Sequence, residues 1–252
     1  MPQLRFTTLV EAPSTVAFDV ARALGRPWPR PLREVESLRP YRDVYAAAPG
    51  PGSRTHTRSF AATGAGTLVV EQVDWCTGLP GVLGGLVDRT VVRRRLLRAM
   101  QAHLDAYAAA AALRALAVTQ VVGAAVVDEQ RRVLVAQRGT GSLAGLWEFP
   151  GGKVERGETD LAALVRECRE ELGVVVVPRA FVGEVPLDGV VAGGAPGAST
   201  LRVWWCRIAG GELSAAEHSE LRWLPGADLE ALDWIPADRP LLPAVRALLA
   251  RR

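Results

Sequence analysis

The chain has 252 residues, of which 49% are hydrophobic and 23% charged, a composition that indicates a globular protein and excludes a disordered or fibrous one. The net charge of +3 is small but uneven, because residues 1–117 hold 15 Arg against 9 acidic residues, whereas residues 118–252 hold 15 basic and 18 acidic residues. The length allows one large domain or two ordinary ones, and the uneven charge predicts two halves of different character.

Three cysteines, Cys76, Cys168 and Cys206, show neither CxxC nor Cys/His metal spacing. Their odd number fits a reducing compartment better than a disulfide framework. The N-terminus lacks the basic-then-apolar layout of a signal peptide, and no uncharged apolar run is long enough to span a bilayer. We therefore expect a cytoplasmic protein without a membrane span.

The first half begins with an alternating strand, "LRFTTLVEAP", that ends at Pro13. Ser14 is a candidate N-cap for the short helix "STVAFDVARALG", which Gly25 is placed to stop. Residues 26–53 are rich in Pro, Arg and Gly, and we interpret them mostly as loop. The runs "RTHTRSFAA" and "TLVVEQVDW" predict two strands joined at "TGAG".

A long helix is predicted from about Val87 to residue 116, where we place the domain boundary. Its apolar stripe has i, i+4 spacing and consists of Val92, Leu96, Met100 and Leu104. The arginines at 93–95 and 98 lie largely off that stripe. We favour a solvated face for them, and the alternative is a patch that binds nucleic acid or anionic lipid.

This order of strand, helix, strands and long terminal helix resembles the START-like (SRPBCC, polyketide-cyclase-type) family. The segment "GLVDRTVVRRRLLRAM" looks like the last helix of that family. The resemblance implies a helix-grip domain over residues 1–116, in which a curved antiparallel sheet wraps the helix around a cavity for an apolar ligand. The first half of this chain has fewer predicted strands in its middle than members of that family have.

The second half contains two apolar runs around "DEQR", which predict a strand pair with a tight turn. Two further predicted strands, "VVVVPRAFVGEVPL" and "TLRVWWCRIAG", flank a Gly-rich loop at 189–198, and "RPLLPAVRALLARR" predicts a closing amphipathic helix. Strands mixed with two helices indicate an α/β sandwich over residues 117–252, so that the whole chain is α+β.

The stretch "LWEFPGGKVERGETDLAALVRECREELG" carries the chemistry. Thr159 is a plausible N-cap for its helix and Gly173 is placed to end it. By the 3.6-residue repeat, Glu167, Glu170 and Glu171 fall within about 100° of each other. The predicted apolar stripe on the other side consists of Leu161, Leu164, Val165, Cys168 and Leu172.

Like charges one helical turn apart destabilise a helix by roughly 0.2–0.5 kcal/mol per pair. A hard divalent cation compensates for this repulsion, because Mg²⁺ prefers carboxylate oxygens together with water and phosphate. The glycines of "PGGKVERG" allow the backbone to approach a metal and phosphates closely. Lys153, the only lysine of the chain, and Arg156 supply positive charge nearby. The alternative is an ordinary solvated acidic helix.

The spacing of the whole segment is more demanding than the glutamates alone. Gly152 is followed after five residues by Glu158, and after seven more by Arg166-Glu167-Cys168-Arg169-Glu170-Glu171-Leu172-Gly173-Val174. This pattern matches the Nudix box, so residues 118–250 resemble the Nudix hydrolases. The resemblance implies cleavage of a nucleoside diphosphate linked to another group, with Mg²⁺ or Mn²⁺ as the cofactor.

The resemblance also assigns roles by position. Glu167, Glu170 and Glu171 would be metal ligands together with the carbonyl of Gly152. Arg166 would hold the glutamates by ion pairing, and Glu158 would act as a further ligand or orienting group. A box glutamate would accept the proton of the attacking water, and we favour Glu167.

The segments "AQR", "LWEFPGGK", "EHSELRWL" and "WIPADRP" resemble the MutT-like branch, which converts (d)NTP to (d)NMP and pyrophosphate. On that resemblance Arg138 and Lys153 would contact the substrate. Glu217 would be the outlying metal ligand, with Glu220 as the alternative. Phe149 and Asp238 would line the base pocket.

Asp238 departs from the Asn found at this place in MutT proteins that hydrolyse 8-oxo-dGTP. Oxidised-purine house-cleaning is the favoured function, and a CTP or 5-methyl-dCTP pyrophosphohydrolase is the alternative, since Asp238 resembles that variant. The other interpretation of Asp238 is a helix N-cap. A function of another class is an apolar-ligand sensor whose Nudix half is a nucleotide-binding regulatory module. The expected partner is a small nucleotide, and no nucleic acid is expected to bind.

Overall fold

The structure is a computed structural model that describes residues 2–28, 32–47, 52–79, 81–187 and 199–250. The chain divides into two compact units, Met1–Ala117 and Val118–Arg252. The loop predicted at 189–198 lies outside the described residues. No helix in the described part of the chain has the length and apolar character needed to cross a membrane.

The first unit is built on a five-stranded antiparallel sheet with the strand order β1-β5-β4-β3-β2. Its strands are β1 (Gln3–Val10), β2 (Arg33–Leu38), β3 (Arg42–Ala46), β4 (Arg54–Thr63) and β5 (Gly66–Trp75). Its helices are α1 (Ser14–Ala23), α2 (Gly81–Val87) and α3 (Arg93–Ala115), and a π-helical turn at Asp88–Val92 joins the last two.

Three predictions for this unit are corrected by the structure. Residues 26–53, which were predicted mostly as loop, contain the two strands β2 and β3; every residue of β2 is exposed, so this edge strand has no alternating apolar signal. The N-cap of α1 is Pro13, and Ser14 is the first helical residue. The final helical segment begins at Gly81, six residues before the predicted start.

Helix α3 packs one face on the sheet. Leu96, Met100, Tyr107 and Ala111 are its buried residues. Leu96 and Met100 share a core cluster with Leu4, Val73 and Trp75 of the sheet, and Val92, Leu97 and Leu104 pack against that cluster. The predicted apolar stripe is therefore confirmed, with its outer members only partly buried.

A row of charged side chains crosses the sheet on its buried face. In the strand register Glu71 lies beside Arg58, and Arg58 lies beside Asp43. All three are 0% exposed. The guanidinium of Arg58 holds Asp43 with two hydrogen bonds of 2.9 and 2.6 Å, and Arg26 adds a third at 3.1 Å. Burial raises the pKa of Asp43, but Arg58 and Arg26 lower it more.

His56 completes this row on the Glu71 side. Its Nε2 lies 2.7 Å from a carboxylate oxygen of Glu71, and its Nδ1 lies 3.3 Å from Nε1 of Trp28. Because the indole N–H can only donate, Nδ1 accepts and Nε2–H donates to Glu71. Burial lowers the pKa of His56, which keeps this imidazole neutral.

The second unit has two three-stranded sheets, with the orders β6-β10-β9 and β11-β7-β8. The strands are β6 (Val121–Val126), β7 (Val133–Arg138), β8 (Trp147–Glu148), β9 (Val174–Pro186), β10 (Thr200–Gly211) and β11 (His218–Leu224). The helices are α4 (Asp160–Leu172) and α5 (Leu242–Ala250), and 3-10 turns occupy Leu229–Ala231 and Arg239–Leu241.

The predicted pairing of the first two strands of this unit was wrong. β6 pairs in parallel with β10, whereas β7 pairs with β11 and β8, and only the bridge Val127↔Val133 joins their ends. The short "DEQR" turn suggested a hairpin, but each strand finds its partner in a distant part of the chain. The mixed sandwich with one helix in each core cluster places the start of β6 and the segments that follow β7 and β8 around one cleft.

Candidate active site

One cleft of about 590 Å³ opens in the second unit. Its lining brings together polar groups from the β7–β8 region, the glycine loop, α4 and the segment before β11. The predicted site residues in this lining are Arg138, Phe149, Gly152, Lys153, Glu167, Glu171, Glu217 and Asp238. Glu158, which precedes α4, and Arg166 and Glu170 of α4 are not part of this lining.

Local sequence fixes the position of α4 as predicted. The side chain of Thr159 accepts a hydrogen bond from the Ala162 N–H at 3.2 Å, which satisfies a free donor of the first turn. Gly173 ends the helix with φ 70°, a left-handed conformation that favours glycine. On the apolar side Leu164, Cys168 and Leu172 are buried, but Leu161 is 46% exposed, so its place in the predicted stripe was wrong and Ala163 is buried instead.

The glycine loop lies against the carboxylates of α4. The Gly151 N–H donates to Glu171 Oε2 at 3.0 Å. A Cβ at position 152 would lie 2.4 Å from the Glu167 carboxyl carbon, so any other residue here would displace the Glu167 carboxylate from its present position. The Gly152 carbonyl accepts from the Val122 N–H at 2.8 Å, which leaves one of its two lone pairs free for another partner.

Arg166 holds the acidic side chains around the helix. Its guanidinium donates to Glu158 at 3.0 Å, to Glu167 at 2.9 Å and to Glu170 at 3.1 Å. It also donates to the Lys153 carbonyl at 3.0 Å. The hydrogen bond with Glu158, followed by those with Glu167 and Glu170, raises the pKa of Arg166. The predicted contacts of Arg166 with the glutamates are thus present.

Glu171 is a partly buried carboxylate of α4. Burial, together with the negative charges of Glu167 and Glu148, raises the pKa of Glu171 to about 7, although His218 and the Gly151 N–H act in the opposite direction. His218 Nε2 lies 3.4 Å from Glu148 Oε1. Burial lowers the pKa of this histidine, but Glu148 and Glu171 raise it more.

Glu148 and His218 were missed by the sequence reasoning. Glu148 also accepts a hydrogen bond of 2.9 Å from Arg138, so it connects the predicted substrate-binding arginine to the imidazole. A signal existed, because Glu148 directly precedes Phe149 and His218 directly follows Glu217. What the sequence lacked was the pairing of β7 with both β8 and β11, which brings them together.

Asp238 is one of the two residues predicted to line the base pocket. Its Oδ1 accepts from the Phe149 N–H at 3.0 Å, and its side chain makes no capping bond at the start of the following 3-10 turn. The side-chain cap interpretation is therefore wrong. Burial raises the pKa of Asp238 to about 7, against the lowering effect of the Phe149 N–H. Phe149 packs its ring 5.0 Å from Trp234.

The two candidates for the outlying carboxylate are distinguished by position. Glu217 lines the cleft, whereas Glu220 accepts a hydrogen bond of 2.9 Å from the guanidinium of Arg222. The ligand role of Glu217 stays a prediction.

The donor set around the glycine loop fits a hard divalent cation, because it offers carboxylate oxygens and a backbone carbonyl. In the described residues, no three His, Cys, Asp or Glu side chains are already grouped as a metal site. Glu167 and Glu170 each form an ion pair with Arg166.

Comparison with known proteins identifies the family. The NUDIX domain model matches residues 118–245, which is half of the chain. The chain belongs to the Nudix family. It is a Nudix hydrolase by descent, and members of this family generally use divalent metal ions.

Its relatives are MutT-like, as the sequence predicted. A Mycobacterium tuberculosis protein with the provisional name 8-oxo-dGTP diphosphatase 2 is 46% identical over 121 residues, which cover 48% of this Nudix chain and 83% of the relative. The CTP pyrophosphohydrolase of Escherichia coli is 42% identical over 134 residues, covering 52% and 94%. The 8-oxo-dGTP diphosphatase of E. coli is 30% identical over 136 residues, covering 51% and 97%.

Proposed function

We propose that the second unit hydrolyses (d)NTP to (d)NMP and pyrophosphate with Mg²⁺, and that an oxidised purine triphosphate such as 8-oxo-dGTP is its preferred substrate. The observation that carries this proposal is that one cleft is lined both by box carboxylates and by Asp238 with Phe149. A triphosphate and a base can therefore be held at the same time by one chain.

The phosphate end of the cleft is assigned to the glycine loop and its neighbours. Glu167, Glu170, Glu171 and Glu217, with the Gly152 carbonyl, would hold the metal, and Mn²⁺ can substitute for Mg²⁺. A bound cation supplies charge neutralisation on the phosphates and activation of water. Glu158 and Arg166 keep the glutamates in place through the hydrogen bonds between them.

Proton transfer and the binding of phosphate and base are assigned to side chains of the protein itself. Glu167 lies within contact distance of the Gly152 backbone and accepts the proton of the attacking water. Arg138, which Glu148 orients, and Lys153 bind phosphate oxygens. Phe149 lies beside Trp234 and lines the base pocket.

Asp238 reads the base in this proposal. A buried carboxyl group with a pKa of about 7 exists in both protonation states near neutral pH, so it can donate or accept a hydrogen bond. That property suits a purine edge with a ring N–H and an exocyclic amine. It also suits cytosine, and the relative named CTP pyrophosphohydrolase makes CTP or 5-methyl-dCTP the second candidate.

A substrate series tests the proposal directly. Wild type, Asp238→Ala and Asp238→Asn should be compared with 8-oxo-dGTP, dGTP, CTP and 5-methyl-dCTP, with Mg²⁺ and with EDTA, by measuring pyrophosphate release. Loss of a buried hydrogen bond should lower kcat/KM for the preferred base by roughly ten- to a hundredfold. Asp238→Ala should flatten the ranking, and Asp238→Asn should shift it between the two series.

The exposed Asp228 provides the control, because Asp228→Asn should leave the ranking unchanged. Turnover in EDTA equal to that with Mg²⁺ would refute the metal requirement. An unchanged ranking in both Asp238 variants would refute base reading by this residue.

For the first unit we propose a START-like helix-grip domain over residues 1–116, followed by the Nudix domain over 117–252. The support is the strand order, with β1 next to the last strand β5, and the long α3 packed on the sheet. The buried face carries Asp43, Arg58, Glu71 and His56, so a purely apolar ligand is not the natural occupant of this row. A polar group of a ligand would have to match those charges.

A further inference from the structure

The strongest surface feature outside the cleft is the outward side of α2, the π-helical turn and the beginning of α3. We call it the arginine face, and it consists of Leu79, Val82, Leu86, Arg89, Arg93, Arg94, Arg95 and Arg98. Val82 is 90% exposed, Leu86 58% and Leu79 55%, and all five arginines are exposed. Three large apolar side chains in water next to five positive charges are unusual on a soluble surface.

The positive charge of the arginine face is uncompensated. Asp88 is the only acidic residue between 75 and 104, and it is buried, with 6% exposure. Its carboxylate accepts the Thr77 N–H at 3.2 Å, so its charge points inward. Within the part of the chain that the structure describes, none of the five arginines forms an ion pair.

The apolar tip of this face is held in place. A Cβ at Gly84 would lie 2.0 Å from the Leu79 carbonyl oxygen, so the preceding loop lies directly against the helix backbone. The hydrogen bond between Asp88 and Thr77 fixes the same loop from its other side. The exposure of Leu79 and Val82 is thus a property of the packed fold.

The apolar and basic residues are adjacent along the helical segment. Val82 and Leu86 lie about one turn apart on α2, and Arg89 and Arg93 follow in the π-helical turn and at the start of α3. Asp88 and Leu96, which lie among the residues of the arginine face in the chain, are buried. Exposed Val and Leu side chains beside an excess of arginines combine the two contributions that bind a helix to a lipid interface, namely buried apolar area and attraction to anionic lipids.

We propose that the arginine face binds an anionic lipid surface and attaches the protein peripherally to it. Arg89, Arg93 and Arg94 would contact lipid phosphates and carboxylates, while Val82 and Leu86 would enter the headgroup region. A nucleic acid matches this face less well, because the face has no aromatic side chain for base stacking and its exposed Val and Leu would gain nothing from phosphates. None of these residues lines the cleft, so membrane attachment and hydrolysis can be tested separately.

The test is sedimentation of the full chain with vesicles of phosphatidylcholine, with and without about 30% phosphatidylserine, at an ionic strength of about 0.1 M. Binding is expected only with phosphatidylserine. Arg89→Gln/Arg93→Gln/Arg94→Gln should weaken it by roughly a hundredfold, and Val82→Gln/Leu86→Gln by at least about tenfold.

Matched controls distinguish binding at the arginine face from attraction by the net charge of the whole protein. Arg5→Gln/Arg33→Gln/Arg179→Gln removes the same charge from exposed positions elsewhere, and Val35→Gln/Leu113→Gln replaces two exposed apolar residues. Both controls should bind nearly as wild type does, and every variant should keep its circular dichroism and hydrolysis rate. If an arginine-face variant does not fold, sedimentation of the wild type at two ionic strengths is the test, because about 0.5 M salt should release the wild type from the anionic vesicles.

Three results would overturn the proposal. The first is absence of wild-type sedimentation with anionic vesicles. The second is equal loss in the arginine-face and control triple variants, which would indicate net charge alone. The third is binding of a single- or double-stranded RNA that depends on the arginines but not on Val82 and Leu86, with no binding to vesicles.

Discussion

Both units withdraw charged side chains from solvent, but they combine the signs differently. In the first unit Asp43 faces Arg58 and Arg26 at 2.6–3.1 Å, so that each charge has an opposite neighbour inside the fold. In the second unit the carboxylates of Glu148, Glu167 and Glu171 are close enough for the first two to raise the pKa of the third. The same residue types therefore produce two different kinds of site.

The difference shows how a structural cluster can be distinguished from a binding site. A buried pair of opposite charges offsets part of its desolvation cost within the protein, and removal of one partner leaves the other charge buried without compensation. Carboxylates gathered around a cleft have a repulsion that the fold does not fully cancel, and a cation or a donor group from outside lowers their energy. Charge pairing thus favours a structural role for Asp43–Arg58, whereas the arrangement of the cleft carboxylates supports the metal-binding role proposed for them.

The largest effect is expected on the structural side of this comparison. Asp43→Ala leaves Arg58 buried without its partner and should lower the free energy of unfolding by about 3–5 kcal/mol. Urea denaturation of the full chain measures this effect. Asp19→Ala, which removes an exposed partner of Arg39, should cost at most about 1 kcal/mol. Equal losses in the two variants would contradict the structural role of the row.

The next effect concerns the functional side. Glu171→Gln removes one charge from the crowded carboxylates and should lower kcat for nucleotide hydrolysis at least about a hundredfold without loss of stability. Steady-state kinetics with Mg²⁺, together with circular dichroism, checks both statements. Glu129→Gln, at an exposed turn, is the matched control and should retain full activity. A Glu171→Gln enzyme with wild-type kcat would show that this carboxylate is dispensable.

A smaller effect is expected from the pH dependence of Asp238. Its folded-state pKa of about 7 lies above the ordinary value of about 3.9, so the folded protein keeps a proton that the unfolded chain loses between about pH 4 and pH 7. The contribution of this group to stability therefore falls as pH rises through that window.

Asp238→Asn should remove this loss. Relative to wild type, the variant should gain about 2 kcal/mol in the free energy of unfolding between about pH 5 and pH 7, as measured by urea denaturation. Asp228→Asn should show no such gain because Asp228 is exposed. Parallel pH profiles for wild type and Asp238→Asn would contradict the raised pKa.

The smallest effect tests whether the two regions depend on each other. The cleft is lined only by residues from Val121 to Asp238, so a chain that begins at Leu116 should fold and keep kcat/KM within about twofold. Hydrolysis by the shortened chain and the full chain, compared at equal concentration, measures this. Loss of most activity in a soluble shortened protein would mean that the first unit helps to build the site.

Much of α4 could be predicted because its determinants are local. Thr159 and Gly173 cap α4 as expected, since each acts on backbone groups within a few residues. The spacing of Glu167 and Glu171 placed both on the side that lines the cleft. The amino-acid sequence by itself also determined the family, because the box is a contiguous pattern.

Only the tertiary structure decided which distant groups meet. Asp238 binds the backbone of Phe149 across 89 positions of the chain, and His218 reaches Glu148 because β11 and β8 both pair with β7. β6 and β7 belong to different sheets for the same reason, and β2 forms as an exposed edge whose pattern carries no apolar signal. Strand partners are chosen by the burial of whole faces and by hydrogen bonds between remote segments, which no local stretch of sequence contains.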